Sequence, residues 1–349
     1  MALINISKLV TIDRFFAEQE ALYPEATGEF TNLLHDLILS IRILALEVRR
    51  AGINDILGLS GLKNSTGDSV RRLDEYANEV ICRAMSPCGK LCVMVSEEAD
   101  SIIPIPKRYT KGKYVLIFDP LDGSTNIDVG ITIGTTFSLF KRLDTSHTDD
   151  GTVEDVLQPG YKQVAAGYVL YGSSTIFVLT TGTGVNVFTY DPTIGEFILT
   201  FEKLTIPKRG SQYSCNESYY FQWSPELRQY LDYLKKSYLK KKQPYVLRYV
   251  ATAVADIHRL LHYGGIYMYP PTENNPNGKI RLLYEANPLA FIIEQAGGRA
   301  TDGKQRLMDI VPKSIHQCTP FFVGSVEDVI EAETFMRREH EYQKELNKK

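Results

Sequence analysis

The hydrophobic positions change period several times along the chain, and those changes mark its elements. Leu34, Leu37, Ile38, Ile41, Leu44, Ala45 and Val48 recur at helical spacing, which predicts an amphipathic helix over residues 31–50. Thr31 reads as its N-cap and Gly52 as its end. Residues 52–72 lose that period. Gly52, Gly58, Gly61 and Gly67 mix there with Asn, Ser and Thr, so a loop of some mobility is predicted. A second helix is predicted over 70–85. Strands are predicted at 91–96 and 114–118, then near 131–140, 163–170, 174–180 and 185–190. The turns between the later strands are short, which favours a mostly antiparallel sheet. Beyond them come a linker at 204–216, helices over 224–240 and 251–262, and a strand at 280–285. Asn287-Pro288 then opens a helix that stops at Gly297-Gly298. There is no internal repeat. The order of elements predicts an α+β or layered arrangement rather than a regular doubly wound sheet.

Size and charge narrow the classes. A chain of 349 residues exceeds what one simple core usually needs, so two domains are expected. A content of 44% hydrophobic and 23% charged residues is that of an ordinary globular protein. The formal net charge of -3 gives no support to a nucleic-acid or bilayer partner. No apolar run approaches the roughly 20 residues of a membrane span. The N-terminus lacks the pattern of a secretory signal, and Leu346-Asn347-Lys348-Lys349 is not the Ser-Lys-Leu address. The cytoplasm is therefore expected, with a peroxisome-like organelle as the alternative if a C-terminal address is missing from this chain. Five cysteines, an odd count without zinc spacing, suit a reduced compartment. Cys88, in a Pro-Cys-Gly turn, reads as an inert thiol.

The chemistry concentrates in Y-V-L-I-F-D-P-L-D-G-S-T-N, residues 114–126. Asp119 and Asp122 flank a Pro-Leu turn at the end of an apolar strand. Pro120 fixes the backbone after the first and Gly123 permits a tight turn after the second, so both carboxylates can converge. Converging carboxylates in a partly dry site repel unless a cation lies between them, and hard oxygen ligands select Mg²⁺ or Mn²⁺ over zinc. Glu97-Glu98 follow the apolar strand L-C-V-M-V-S, and Glu285 ends R-L-L-Y-E. Asp68 and Asp74 lie in or just after the glycine-rich loop. Each acid alone has an ordinary explanation: turn chemistry for Asp119 and Asp122, a solvated loop for Glu97-Glu98, pairing with Arg281 for Glu285. Three strand ends sharing the pattern favour a metal site. A helix starting at Gly123-Ser124-Thr125 would add an anion cradle. Metal ligands beside such a cradle suit phosphate-ester hydrolysis, with two Mg²⁺ ions roughly 3.5–4 Å apart. The spacing lacks the EF-hand ligand series. An aspartyl-phosphate route would need only one Asp as nucleophile, so the additional acids favour attack by water.

V-S-E-E-A-D, F-D-P-L-D-G-S-T-N-I-D and L-L-Y-E-A-N-P together resemble fructose-1,6-bisphosphatase, within the lithium-sensitive sugar and inositol phosphatase superfamily. The D-P-x-D-G-S/T motif alone marks only the superfamily. T-G-D-S-V-R-R-L-D, L-Q-P-G, V-A-A-G-Y-V-L-Y-G-S, Y-G-G-I-Y-M-Y-P and N-G-K-I-R-L-L-Y-E narrow it, and the likeness runs from about Thr11 to Asp328. It implies a layered α-β-α-β-α sandwich in two units, an N-terminal allosteric and metal-binding domain over 1–204 and a C-terminal substrate domain over 205–349. It further implies a homotetramer and release of the 1-phosphate of fructose 1,6-bisphosphate, a step of gluconeogenesis. Glu97, Asp119, Asp122, Glu285 and the Leu121 carbonyl match the family's metal ligands, Asp68 the loop residue of a third metal position, for two to three ions in all. Asp74 and Glu98 match the carboxylates that orient or deprotonate water. Gly123 and Ser124 match the 1-phosphate positions. Asn216, Tyr219, Tyr249 and Tyr269 match the 6-phosphate binders, with Arg248 reaching that phosphate from a neighbouring subunit. Lys279 and Arg281 match residues near the sugar and the 1-phosphate.

The resemblance also implies inhibition by AMP. Thr27, Gly28, Glu29, Phe30 and Thr31 match the family's AMP site, with Lys113 and Tyr114 as further contacts. Lys141 stands where the family usually has arginine. It keeps the charge without the planar fork, so altered affinity is expected. The glycine-rich loop 52–72 could dock or leave with subunit rotation. Two competing functions are a sedoheptulose-1,7-bisphosphatase or other phosphatase of the superfamily, and a non-catalytic sugar-phosphate sensor. The sensor would lose metal ligands, yet Glu97, Asp119, Asp122 and Glu285 are all present.

Overall fold

The computed structural model describes residues 9–22, 28–51, 53, 58–63, 69–146, 149–236 and 245–346. Thr27, Gly52 and Asp68 fall outside this set. The first part of the chain supplies α1 (Ile12–Glu20), α2 (Glu29–Arg50) and α3 (Arg72–Met85), with a ribbon of β1 (Leu59–Lys63) and β2 (Ser69–Arg71) before α3. Eight strands follow: β3 (Leu91–Ser96), β4 (Ile103–Pro104), β5 (Tyr114–Asp122), β6 (Ile133–Lys141), β7 (Ala165–Tyr171), β8 (Thr175–Thr180), β9 (Val185–Asp191) and β10 (Glu196–Leu204). They form one sheet in the order β10-β9-β8-β7-β6-β5-β3-β4, antiparallel except between β3 and β5. A single helical turn, α4 (Val153–Val156), lies between β6 and β7.

The second part contributes β11 (Gln212–Ser214), α5 (Pro225–Lys236), β12 (Val246–Leu247), α6 (Ala253–Tyr263), β13 (Ile266–Tyr269), β14 (Ile280–Arg281), α7 (Asn287–Gln295), β15 (Arg299–Thr301), β16 (Cys318–Thr319), β17 (Phe321–Gly324) and α8 (Val326–Leu346). Its sheet runs β12-β11-β13-β17-β15, and β14 pairs with β16.

The period of two along each strand separates the layers. Phe137, Leu139, Val169, Phe177 and Leu179 face α1, α2 and α3, where Leu34, Leu37, Ile41, Leu73 and Ile81 complete one core. Ala166, Tyr168 and Val178 face the other way, onto α6 and α7 and through them onto Tyr267, Phe321 and Val323 of the smaller sheet. Ile266, Met268 and Phe322 then meet α5 and α8 on the outer side. The architecture is a layered α-β-α-β-α sandwich, as expected from the sequence.

Several local expectations are corrected. Thr31 is not a cap: α2 begins at Glu29, after Gly28 at φ 71°. Phe30 is thereby inside the helix and packs against Tyr114, ring centroids 5.6 Å apart. The strand expected at 280–285 stops after Arg281, and Leu282–Ala286 form a π-helical turn. That turn runs straight into α7, so Asn287 is helical rather than a cap. The linker at 204–216 contains β11, while β10, β12, β13, β15, β16 and β17 went unread.

Candidate active site

Each acid is brought in by its own device. In a regular strand, residues three apart point to opposite faces. Asp119 and Asp122 escape this because β5 carries a bulge: Asp119 pairs with Thr136 but Asp122 with Gly134, so one residue is extra. Pro120 at the bulge has no ladder N–H to lose. Its carbonyl accepts a bond from Thr135 Oγ1 at 2.7 Å, and Leu121 N donates to Asp119 Oδ1 at 2.9 Å.

Glu285 arrives through the π-turn. Asn287 N donates five residues back, to Leu282 O. Pro288 cannot donate to the carbonyl four residues before it, that of Tyr284. Thr136 Oγ1, on the strand beside Asp119, donates to that carbonyl instead. Glu285 Oε2 accepts from the backbone N of Arg281 at 2.6 Å. The ordinary explanation for Glu285, pairing with Arg281, thus holds through the Arg281 backbone N–H. Glu97 lies in the turn after β3, where its N–H donates to Phe118 O at 3.2 Å.

The result is one acidic cluster. Ligand oxygens of Asp119, Asp122 and Glu285 lie within 4.8 Å of one another. Burial first, then the charges of Glu97, Asp122 and Glu285, hold Asp119 well above the usual carboxylate range. Glu285 is raised by burial, then by Glu97 and Asp122. Asp122 is pushed up to about 7, chiefly by burial, although Val254 N donates to its Oδ2 at 2.8 Å and opposes the shift. Asp74, buried in the first turn of α3, and Glu98, in the turn after β3, are the other acids expected here.

Behind Asp122 the chain turns through Gly123, at φ 78°, into the short 3-10 helix Ser124–Val129 rather than an α-helix. A Cβ at Gly123 would stand 2.2 Å from Thr252 Oγ1. Asn126 Nδ2 donates to Thr252 Oγ1 at 2.8 Å and to Val250 O at 3.1 Å, tying this turn to the segment before α6.

A second group forms away from the acids. Asn216 caps a 3-10 helix through its bond from Ser218 N and also bonds the Tyr249 side chain. Tyr249 is pushed up to about 12 by burial, then by Asp256 and Tyr219. Tyr269 is raised by burial, then by Tyr249 and Tyr219, so the three phenols are neighbours. Arg248 is exposed, with Nη1 on Leu247 O at 3.2 Å, and Lys279 is exposed before β14. The half-buried Arg281 donates from Nη1 to Cys318 Sγ at 2.7 Å.

Comparison with known proteins decides what this arrangement is. The family model described as fructose-1-6-bisphosphatase, N-terminal domain, matches residues 10–202, and its C-terminal counterpart matches 206–337. The chain belongs to the fructose-1,6-bisphosphatase family. It is 53% identical over 330 residues to a class 1 fructose-1,6-bisphosphatase of Chlorobium chlorochromatii, covering 95% of this chain and 98% of that one. A class 1 relative from Nitratidesulfovibrio vulgaris is 48% identical over 332 residues, covering 94% and 98%. The crystal structure of Leishmania major fructose-1,6-bisphosphatase in holo form superposes with a TM-score of 0.87 at 38% identity, covering 94% of this chain and 98% of that one.

The fructose-1,6-bisphosphatase family implies a divalent metal, and this chain's residues fit one. Asp119 Oδ2 is buried yet has no hydrogen-bond partner. A donor set of carboxylates alone suits a hard cation, and the crowding of these acids is relieved by positive charge.

The third group of expected residues lines a cavity of about 440 Å³ between α1, the start of α2 and β5. Gly28, Phe30, Thr31, Lys113, Tyr114 and Lys141 all border it. Glu29 does not, and forms an ion pair with Lys113. The bond to Lys113 lowers the Glu29 carboxyl, and the same bond raises the Lys113 ammonium.

The sequence reading missed Thr135, Thr136, Asn126, Thr252 and the Val254 N–H, which place the acids and the Gly123 turn without touching them in sequence. The single available signal was Pro288, whose missing donor leaves the Tyr284 carbonyl in need of a partner.

Proposed function

We propose that the chain hydrolyses the 1-phosphate of D-fructose 1,6-bisphosphate, giving fructose 6-phosphate and phosphate, in gluconeogenesis. One observation carries the site: carboxylates of Asp119, Asp122 and Glu285 gathered within 4.8 Å beside the Gly123-Ser124 turn. Two to three Mg²⁺ ions, or Mn²⁺, are the proposed cofactor, held by Glu97, Asp119, Asp122, Glu285 and the Leu121 carbonyl, with Asp68 at a third position. Bound there, such ions supply the charge that neutralises a phosphate ester and acidifies water.

The protein's own part is positioning. Gly123 and Ser124 hold the 1-phosphate by backbone and hydroxyl. Asp74 and Glu98 orient and deprotonate the attacking water, with general-base geometry as the requirement. Arg281 neutralises charge near the same phosphate, and Lys279 contacts the sugar. Asn216, Tyr219, Tyr249 and Tyr269 hold the 6-phosphate, and Arg248 reaches it from the partner subunit of a homotetramer. Phosphate release from fructose 1,6-bisphosphate, with and without Mg²⁺, tests this reading. Asp122→Asn is expected to abolish release, and full activity in that variant removes Asp122 from the site. Sedoheptulose 1,7-bisphosphate, one carbon longer, is the competing substrate to run in parallel.

The cavity at the start of α2 is proposed to bind AMP as an allosteric inhibitor. Its support is a helix N-terminus, Lys113 and Lys141 around one concavity beside aromatic rings. Failure of saturating AMP to slow phosphate release overturns this. Two units, 1–204 and 205–349, are proposed, and the family models meeting between residues 202 and 206 support that division. The cytoplasm is the proposed compartment. All five cysteines are free thiols, and among the described residues no helix is long and apolar enough to cross a membrane.

A further inference from the structure

Residues 248–254 run from the edge of the smaller sheet to the acidic cluster, and they are fastened at almost every step. Arg248 N donates to Tyr213 O at 2.9 Å, prolonging the pairing of β12 with β11. Tyr249 bonds Asn216. Val250 O accepts from Asn126 Nδ2 at 3.1 Å. Thr252 Oγ1 donates to Thr132 O at 2.8 Å, and Val254 N donates to Asp122 Oδ2. At the centre stands Ala251 at φ 65°, a left-handed conformation that costs any residue with a Cβ. Such a backbone persists only where the surroundings over-determine it. The group that does so is Asp256. Its side chain is 2% exposed, one turn into α6, and both carboxylate oxygens accept from Val250 N, at 3.0 and 3.2 Å.

We propose that Asp256 is a positioning residue that sets Tyr249 and Arg248 for the phosphate of the substrate that does not react. The proposal rests on reading Asn216, Tyr219 and Tyr249 as binders of that phosphate. Without the bond to Val250 N, Ala251 relaxes out of the left-handed region. Tyr249 and Arg248, two and three residues before it, then move, and Tyr249 swings away from Asn216. Electrostatics alone points in the opposite direction. A buried carboxylate close to Tyr249 repels a phosphate, so a role through charge makes its removal tighten binding, whereas a role through position makes removal weaken it.

Steady-state kinetics of the full-length protein with Mg²⁺ separates these, using fructose 1,6-bisphosphate and p-nitrophenyl phosphate, which has no second phosphate. Asp256→Ala is expected to raise KM for the bisphosphate by about tenfold, the scale of a lost hydrogen bond to a charged group. Selectivity for the bisphosphate over the monoester falls by a similar factor. Asp256→Asn keeps the shape and one acceptor oxygen, and is expected to give about a threefold rise. It decides the matter if the alanine variant does not fold. An unchanged or lower KM in Asp256→Asn, or a proportional loss toward both substrates, overturns the proposal. Arg248→Ala and Tyr249→Phe are the controls. If neither raises KM for the bisphosphate, the binding site has been misread. If either does while Asp256→Asn does not, only the role of Asp256 fails.

Discussion

Replacing Asp119 by Asn separates the cost of the acidic cluster from its use. Two ionised carboxylates with oxygens 4.8 Å apart, the limit for Asp119, Asp122 and Glu285, repel by about 3.5 kcal/mol at an effective dielectric of roughly 20. Asp119 takes part in two such pairs. Protonation caps the cost, and each unit of raised pKa corresponds to about 1.4 kcal/mol. The charge of Asp122 is one of the causes that raise Asp119, after burial and Glu97, so the relief on removing Asp119 is that of one such pair, about 3 kcal/mol, at pH 8. Asn preserves the local bond, because its amide oxygen still accepts from Leu121 N in place of Asp119 Oδ1. Its amide N–H donates toward the remaining acids. In chelator, the variant is therefore expected to unfold at higher urea than the parent. With Mg²⁺ at a hundred times its dissociation constant the parent gains about 2.7 kcal/mol and the variant gains nothing. Urea unfolding at pH 8, with chelator and with Mg²⁺, reads both. A variant less stable than the parent in chelator, or equally stabilised by Mg²⁺, refutes the cluster as a metal site held together against its own repulsion.

Three further outcomes are expected. In chelator, stability should fall as pH rises from 4 to 8. Asp122, Asp119 and Glu285 have folded pKa values above their ordinary ones, so the folded state holds more protons across that interval. The contribution is complete below about 4 and lost through about 7 for Asp122, while saturating Mg²⁺ flattens the slope. A rising profile in chelator contradicts the assignment. Gly123→Ala should lower kcat/KM by about a hundredfold, since the new Cβ would stand 2.2 Å from Thr252 Oγ1 and the turn must move; wild-type kinetics would exclude that turn from the site. Lys141→Arg should lower the AMP concentration for half-inhibition several-fold by restoring a planar fork at the rim of the 440 Å³ cavity. An unchanged value would mean that Lys141 does not touch the nucleotide.

What could be read from the sequence follows from where each signal resides. The amphipathic face of α2 and the apolar run of β5 were legible, because burial on one face writes its period into the residues themselves. β10 was not: its outer half, Phe201–Leu204, is largely exposed, and its pairing with β9 slips register twice. The short strands β12 and β16 have two residues each, too few for any period to show. In the site, Asp119, Asp122 and Glu285 were found because acids at the ends of apolar runs are conspicuous. Thr136 and Thr252 were not found, because a hydroxyl that donates to a carbonyl far along the chain leaves no local trace.

Glu285 was singled out through a wrong local structure, and the actual one shows what places it beside Asp119 and Asp122. Had Leu282–Glu285 continued as a strand, side-chain direction would alternate and the backbone would require ladder partners. The ladder pairs Ile280 with Thr319 and Arg281 with Cys318, and ends with Leu282 N donating to Gln317 O at 2.7 Å. The π-turn instead lets one carbonyl leave the helical ladder, and Pro288 determines which one, since it cannot serve Tyr284 O. Thr136 takes that carbonyl from the strand on which Asp119 is paired. The registration of Glu285 against Asp119 thus depends on a proline three residues downstream and a threonine roughly halfway back along the chain. Pro288→Ala should let the turn revert to a regular α-helix, moving Glu285 off the cluster while leaving its charge intact. The expected reading is weaker stabilisation by Mg²⁺ without loss of fold. Full Mg²⁺ stabilisation in that variant would show that the helix end, rather than the missing donor, fixes Glu285.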